Sequence, residues 1–237
     1  MKAGLLNRLL QDRAAKRPVA LATNLESGEQ ALVYYDDTSG PLAQHQTIVE
    51  AAREALRDDS SATISTPAGE VFVHVFNPPL RMVIVGAVHI GQPLSRMAAL
   101  AGYDVIVVDP RQSFANAERF PDVRVIAEWP DEAMQELDLD RRTAVVTLTH
   151  DPKIDDPALV EALRSDAFYI GALGSRRTHA KRIDRLKAEG FTELQIGRIQ
   201  GPVGLSLGAI SPAEIAVSIL AQIVGVLHQK ERKAEAA

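Results

Sequence analysis

Met82-Val83-Ile84-Val85-Gly86-Ala87-Val88-His89-Ile90-Gly91 runs from apolar residues into a glycine turn and then into helical sequence. Unbroken apolar runs of this kind suit strands buried on both faces of a parallel sheet. A turn that holds a dinucleotide needs a first glycine for the tight bend. It needs a second where a pyrophosphate approaches the backbone, and a third for helix–strand packing. Gly86 and Gly91 occupy the first and last of these positions, and Val88 occupies the middle one. A branched side chain therefore stands where a phosphate normally touches backbone. Asp109 ends the next apolar run, 23 residues after Gly86, the spacing of a carboxylate that takes a ribose 2′-hydroxyl. Arg111 follows two residues later. A plainer reading stays open, in which the glycines only permit strand–helix packing and Asp109 caps the turn before Pro110.

Further apolar strands are expected at 105–108, 123–126, 144–148 and 168–170, with helices at 93–101, 131–137, 157–163 and 178–188 between them. Alternation at this spacing means right-handed βαβ units and a parallel sheet. Asn77-Pro78-Pro79 reads as a boundary, because two prolines continue neither a ladder nor a helix. Before it, a helix at 5–16 ends at Pro18, two strands flank Ser27-Gly28, a helix covers 47–56, and a hairpin turns at Ala68-Gly69. The expected fold class is α/β: a Rossmann-like parallel sheet with helices on both faces over residues 79–237, preceded by a small α+β N-terminal domain over residues 1–78. The tail at 230–237 is expected to fray.

The chain has 237 residues and a net charge of −5, so bulk attraction to nucleic acid is not expected. It contains no cysteine, which removes disulfides, thiolate metal sites and cysteine nucleophiles. No stretch is apolar enough for a membrane span or a secretory segment. A cytoplasmic location fits this composition.

Phe168-Tyr169-Ile170-Gly171-Ala172-Leu173-Gly174-Ser175-Arg176-Arg177-Thr178-His179 forms a second glycine turn. Ser175 is a good N-cap, and Arg176 and Arg177 fall in the first helical turn. The helix dipole disfavours cations there by about 0.3–1 kcal/mol each, whereas an anion bound at the helix start reverses that sign. Arg176 and Arg177 therefore mark a candidate phosphate or carboxylate site. Lys181, Arg182, Arg185 and Lys187 read instead as a solvated face. His179 falls on the apolar face, as either a packed, hydrogen-bonded histidine or a ligand contact. His150 and Asp151 follow a central strand, where open parallel sheets bind ligands. They form a candidate acid/base pair or metal contact, although no second histidine lies nearby at metal spacing and Asp151 could simply shape the turn before Pro152. Asp156-Pro157 has the form of a helix start. Gln200-Gly201-Pro202-Val203-Gly204 opens a third glycine-rich loop. Ser211-Pro212-Ala213-Glu214 after it is a capping box, and the helix that follows is apolar nearly all round, which implies burial.

Taken in order, 84–90, 147–151, 169–179, Gly201-Pro202-Val203-Gly204-Leu205 and Ser211-Pro212-Ala213-Glu214-Ile215-Ala216 resemble the XdhC/CoxI family, accessory proteins of molybdenum hydroxylases. The resemblance covers residues 79–228 closely and the first 78 loosely. It implies a binding and delivery chaperone rather than an enzyme. The implied ligand is molybdenum cofactor, as molybdopterin or its cytosine dinucleotide, an anionic and nucleotide-like group. The implied partners are an apo molybdenum hydroxylase such as xanthine dehydrogenase or carbon monoxide dehydrogenase, a sulfurtransferase, and a second copy or a second chain of the family. Gly86, Gly91, Gly171, Gly174, Ser175, Arg176 and Arg177 carry over, and Val88, His89, Asp109, Arg111, His150 and Asp151 complete the candidate site. The chain departs from the family at Val88, where many members have glycine. It also lacks the N-terminal cysteine motif, which implies a specialised or split form without thiol chemistry. An NAD(P)-dependent oxidoreductase, and a scaffold with a vestigial nucleotide site, remain as alternatives.

Overall fold

The computed structural model describes residues 3–228, so the tail at 230–237 lies outside the described residues. The chain divides into two compact units, Met1–Pro78 and Pro79–Ala237.

The first unit contains α1 (Ala3–Ala14), β1 (Val19–Asn24), β2 (Gln30–Val33), β3 (Thr38–Ser39), a 3₁₀ turn (Pro41–Gln44), α2 (Gln46–Asp58), β4 (Ala62–Thr66) and β5 (Gly69–Phe76). Its strands form one antiparallel sheet in the order β3-β2-β1-β5-β4. Ile48, Val49, Ala52 and Leu56 of α2 pack on Ala20, Ala22, Ala31, Val33, Val71 and Val73. The alternate residues Val19, Leu21 and Leu32 face the other way, with Leu9 of α1. This is the period-2 division that a pleated strand imposes. The sequence shows no sign of β3 or the 3₁₀ turn, because neither is long enough to leave a periodic pattern.

The second unit contains β6 (Arg81–Val85), α3 (Gly91–Leu100), β7 (Asp104–Val108), β8 (Arg124–Ile126), α4 (Pro130–Glu136), β9 (Thr143–Thr147), α5 (Pro152–Arg164), β10 (Tyr169–Ala172), α6 (Arg176–Ala188), α7 (Glu193–Ile196), β11 (Ile199–Gln200) and α8 (Pro212–Leu227). Its sheet runs β11-β10-β9-β6-β7-β8 with every pairing parallel. This is the Rossmann-type doubly wound order, whose direction reverses between β6 and β9. Val83, Val85, Ile106, Val108 and Val145 pack under α4, α5 and α6. Met82, Ile84, Val105, Val107, Ala144 and Val146 pack under α3 and α8. The continuous apolar runs thus divide between two covered faces.

Four elements differ from the expectation, one of them α7, a four-residue helix too short to leave a periodic pattern. Helix α5 begins at Pro152, with Asp151 as its N-cap accepting from the Lys153 amide at 3.0 Å. Asp151-Pro152 and Asp156-Pro157 give the same start signal. The first prevails because Ile154 and Asp155 are buried by the longer helix. β11 is only two residues long and left no pattern. Helix α8 has the capping box, with Ser211 Oγ accepting from Glu214 N at 3.2 Å, but it is not buried all round. Ala216, Ile219 and Ile223 face the sheet, while Val217 and Val224 are exposed.

That orientation is testable by urea unfolding. Ile219→Ala should cost about 2–5 kcal/mol through the cavity it leaves. Val217→Ala should stay within about 0.5 kcal/mol of the parent. Equal costs would mean that α8 is rotated from the position described.

Candidate functional site

The carboxyl edge of the parallel sheet brings three turns together. Gly86 leaves β6 with φ of 109°, a conformation that only glycine adopts without strain. A side chain there would also stand 2.6 Å from Thr149 Cγ2. A Cβ at Gly91 would lie 3.1 Å from the Gly86 carbonyl oxygen, so this glycine lets α3 close on the turn. Val88 is half-buried and packs against the apolar cluster under α3 and α8, while His89 is exposed.

Asp109 is fully buried at the end of β7. Its Oδ2 accepts from the Ala87 amide at 2.8 Å and from Arg111 Nη2 at 2.7 Å. Its Oδ1 accepts from the Arg111 amide at 3.0 Å and from Arg111 Nε at 2.9 Å. Four donors fill the acceptor sites of a carboxylate. Burial pushes this carboxyl up, but the Arg111 side chain and the Arg111 and Ala87 amides outweigh burial and hold it below its ordinary range. The carboxylate expected to meet a ribose instead braces the glycine turn against β7.

The second turn follows β9. His150 adopts φ of 63°, and what holds it is Asp155, a buried carboxylate in the first turn of α5. Asp155 Oδ1 accepts from Thr149 Oγ1 at 2.6 Å and from the Thr149 amide at 3.2 Å. Its Oδ2 accepts from the His150 amide at 3.1 Å. Arg182 Nη2 stands 3.6 Å from that Oδ2 and donates to the Leu173 carbonyl at 3.0 Å. Burial pushes Asp155 up, against these bonds and the Arg182 charge, and burial pulls Arg182 down. Arg182 is only 1% exposed, and its Nε and Nη1 have no hydrogen-bond partner. Asp155 therefore ties the β9 turn to α6.

The third turn leads from β10 into α6. Gly174 has φ of 145°, and a Cβ on it would lie 3.8 Å from His150 Nδ1, so the imidazole sits beside this turn. Ser175 caps α6, its Oγ accepting from the Thr178 amide at 3.1 Å. A cavity of about 350 Å³ opens between α5 and α6, lined by His150, Pro152, Asp155, Asp156, Arg177, Thr178, Lys181, Arg182 and Arg185. Arg185 Nη2 donates to Asp156 Oδ1 at 2.9 Å, and Arg182 answers Asp155. Arg177 and Lys181 have no ion-pair or hydrogen-bond partner among the described residues. They lie one turn apart on α6, and like charges at that spacing repel by about 0.2–0.5 kcal/mol. Arg177 also opposes the helix dipole. The wall thus holds net positive charge that an anion would relieve.

Of the residues singled out in the sequence, His150, Gly174, Ser175 and Arg177 converge at or beside this cavity. Gly86, Val88, His89, Gly91, Asp109 and Arg111 form the neighbouring turn at the β6–β9 reversal, and none of them lines the cavity. Arg176 is exposed and does not line it either. Gly171 is backed by Val203 and Tyr169, and Asp151 serves as the α5 cap. Sequence reasoning missed Asp155, Thr178, Lys181 and Arg182. Lys181, Arg182, Arg185 and Lys187 are not one solvated face: Arg182 is buried, Arg185 pairs with Asp156, and Lys187 pairs with Glu193. The signal that could have found Arg182 is helical spacing, since it precedes the buried Leu186 by four residues. His179 packs against Gly201 as expected for the apolar face, but its Nδ1 lacks a hydrogen-bond partner. No group of side chains able to hold a metal ion occurs among the described residues. No helix among them is long and apolar enough to cross a membrane.

The family model of the XdhC Rossmann domain matches residues 82–223. The chain is 33% identical over 157 residues to the molybdenum cofactor insertion chaperone PaoD of Escherichia coli, covering 66% of this chain and 43% of that protein. It is 32% identical over 179 residues to a probable xanthine dehydrogenase subunit of Bacillus subtilis, covering 72% of this chain and 52% of that one. The chain therefore spans about half the length of these curated relatives. A solved Bacillus halodurans structure, described as a xanthine dehydrogenase, superposes with a TM-score of 0.71 at 24% identity. The superposition covers 98% of this chain and 68% of that one, a likeness of fold.

The brace at Asp109 predicts a pH dependence. Its folded-state carboxyl lies below the unfolded value. Its contribution to stability is therefore complete above about pH 4 and is lost as pH falls through the folded value. In urea unfolding, the gap between the parent and Asp109→Asn should be widest near neutrality and shrink in acid. A gap that stays constant from neutrality to pH 3 would contradict the brace.

Proposed function

Because the chain belongs to the XdhC family through its Rossmann domain, we propose that it binds molybdenum cofactor and delivers it to an apo molybdenum hydroxylase during maturation of that enzyme. The family relation and the names of the relatives support the cofactor and the client class. The observation that carries the site is the α5–α6 cavity, where Arg177 and Lys181 face the opening without carboxylate partners. His150 and Thr178 line the cavity beside them. Cations and donors at a helix start suit a phosphate, and the pterin of molybdenum cofactor carries one. The chain has no cysteine, so no thiolate of its own holds the molybdenum. The protein would hold the cofactor by its phosphate. A sulfurtransferase that installs the sulfido ligand and a second family chain as dimer partner complete the proposed cycle. Whether the ligand is molybdopterin or its cytosine dinucleotide is decided by whether phosphate groups also occupy the adjoining β6–α3 turn.

The oxidoreductase reading is less well supported, because the Asp109 oxygens are already filled by Ala87 and Arg111.

Protein purified from cells that make the cofactor should carry a pterin, released and measured by its fluorescence. Arg177→Glu with Lys181→Glu should lower occupancy at least about tenfold, as expected when charge-assisted hydrogen bonds are lost. Unchanged occupancy would remove the cavity from the account. A pterin-free parent protein would sink the delivery role itself.

A further inference from the structure

In open nucleotide-binding sheets, the carboxylate at the end of the second strand presents free lone pairs to the crevice and takes the ribose hydroxyls. Asp109 has that place here, on β7 beside β6. It is 0% exposed, and three of the four donors on its oxygens belong to Arg111. Nε and Nη2 form a two-pronged, charge-assisted pair with both oxygens, and the Arg111 amide adds a third bond. The guanidinium is further held on the Phe114 ring, 4.6 Å from its centroid, with Arg119 5.2 Å from the same ring. The Arg111 side chain remains 38% exposed, so it forms the surface that an entering ribose would meet. A diol could reach the carboxylate only by displacing a bidentate ionic pair, and such pairs are about twice as strong as neutral hydrogen bonds.

We propose that Arg111 is a specificity-determining latch that closes the ribose corner of the β6–β7 crevice. It rejects nucleotides that depend on Asp109 for their diol, NAD-type dinucleotides first among them. It leaves the crevice to phosphorylated ligands that place no ribose at that corner. An arginine near this carboxylate can serve another purpose, gripping the 2′-phosphate of NADP. Here Nε and one hydrogen of Nη2 are turned onto Asp109, which leaves the two Nη1 hydrogens and the second Nη2 hydrogen to face a ligand, without the Nε–Nη2 fork. The latch rests on the geometry of the crevice and not on the molybdenum reading, so pterin occupancy and nucleotide binding vary independently. Val88 is a separate obstacle in the same turn, and the test controls for it.

NADH and NADPH fluorescence titrations of the full chain decide the matter, with circular dichroism confirming that each variant folds. The parent and Val88→Gly should show no saturation below about 1 mM. Arg111→Ala, alone or with Val88→Gly, should bind NADH at least tenfold tighter than its own background. Adding Asp109→Asn should abolish that gain, because the gain acts through the freed carboxylate. Arg111→Gln, which keeps a polar side chain but loses the ionic fork, should gain partially. Three results would each overturn the latch: parent binding as tight as that of the Arg111 variants, no gain in either Val88 background, or a gain that survives Asp109→Asn. Tight binding of NADPH alone by the parent would show Arg111 to be a phosphate contact instead.

Discussion

A buried carboxylate must be answered by donors, and Asp155 organises the carboxyl edge of this sheet around that requirement. Taking its charge out of water is costly unless hydrogen bonds and an opposite charge replace the solvent. The donors come from the Thr149 hydroxyl and amide and the His150 amide, which holds the β9 turn in a left-handed bend. The opposite charge comes from Arg182, drawn inward from the middle of α6. With Arg182 turned in and Arg185 committed to Asp156, the outer positions Arg177 and Lys181 are left facing the cavity uncompensated. The free protein thus carries repulsion along α6 and against its dipole, which a bound anion would relieve.

A second aspartate–arginine pair stands at the neighbouring turn with a different balance. Asp109 and Arg111 are joined at full hydrogen-bonding distance with the arginine half-exposed, whereas Arg182 is buried and 3.6 Å from Asp155. The first pair braces Gly86 and Ala87 and occupies the ribose corner. The second holds the wall of a cavity. Thr149 joins the two regions: its methyl packs where a Gly86 side chain would be, and its hydroxyl bonds Asp155. The two turns therefore share a wall at Thr149.

Much of the framework was legible in the residues themselves. The five longer strands of the parallel sheet, the glycine bend at Gly86, the Ser175 cap and the Ser211–Glu214 box all depend on local chemistry that a short window contains. What the sequence hid depends on distant partners. Asp109 has the right spacing for a ribose contact, but only the fold shows that Arg111 has already filled it. Two Asp-Pro pairs give equal start signals, and the burial of Asp155 decides between them. Arg182 lies in a basic run that reads as solvated, and its burial follows from a carboxylate 27 residues earlier in the chain. β3 and β11, two residues each, exist only through pairing with their neighbours.

The proposed ligand carries a phosphate, and the proposal rests that phosphate at the α5–α6 cavity. A crystal structure of the protein with its copurified pterin tests this most directly. The account predicts the pterin phosphate within hydrogen-bonding distance of Arg177 or Lys181, at the mouth of the α5–α6 cavity beside His150. A phosphate bound elsewhere, with that cavity filled only by water, would contradict it.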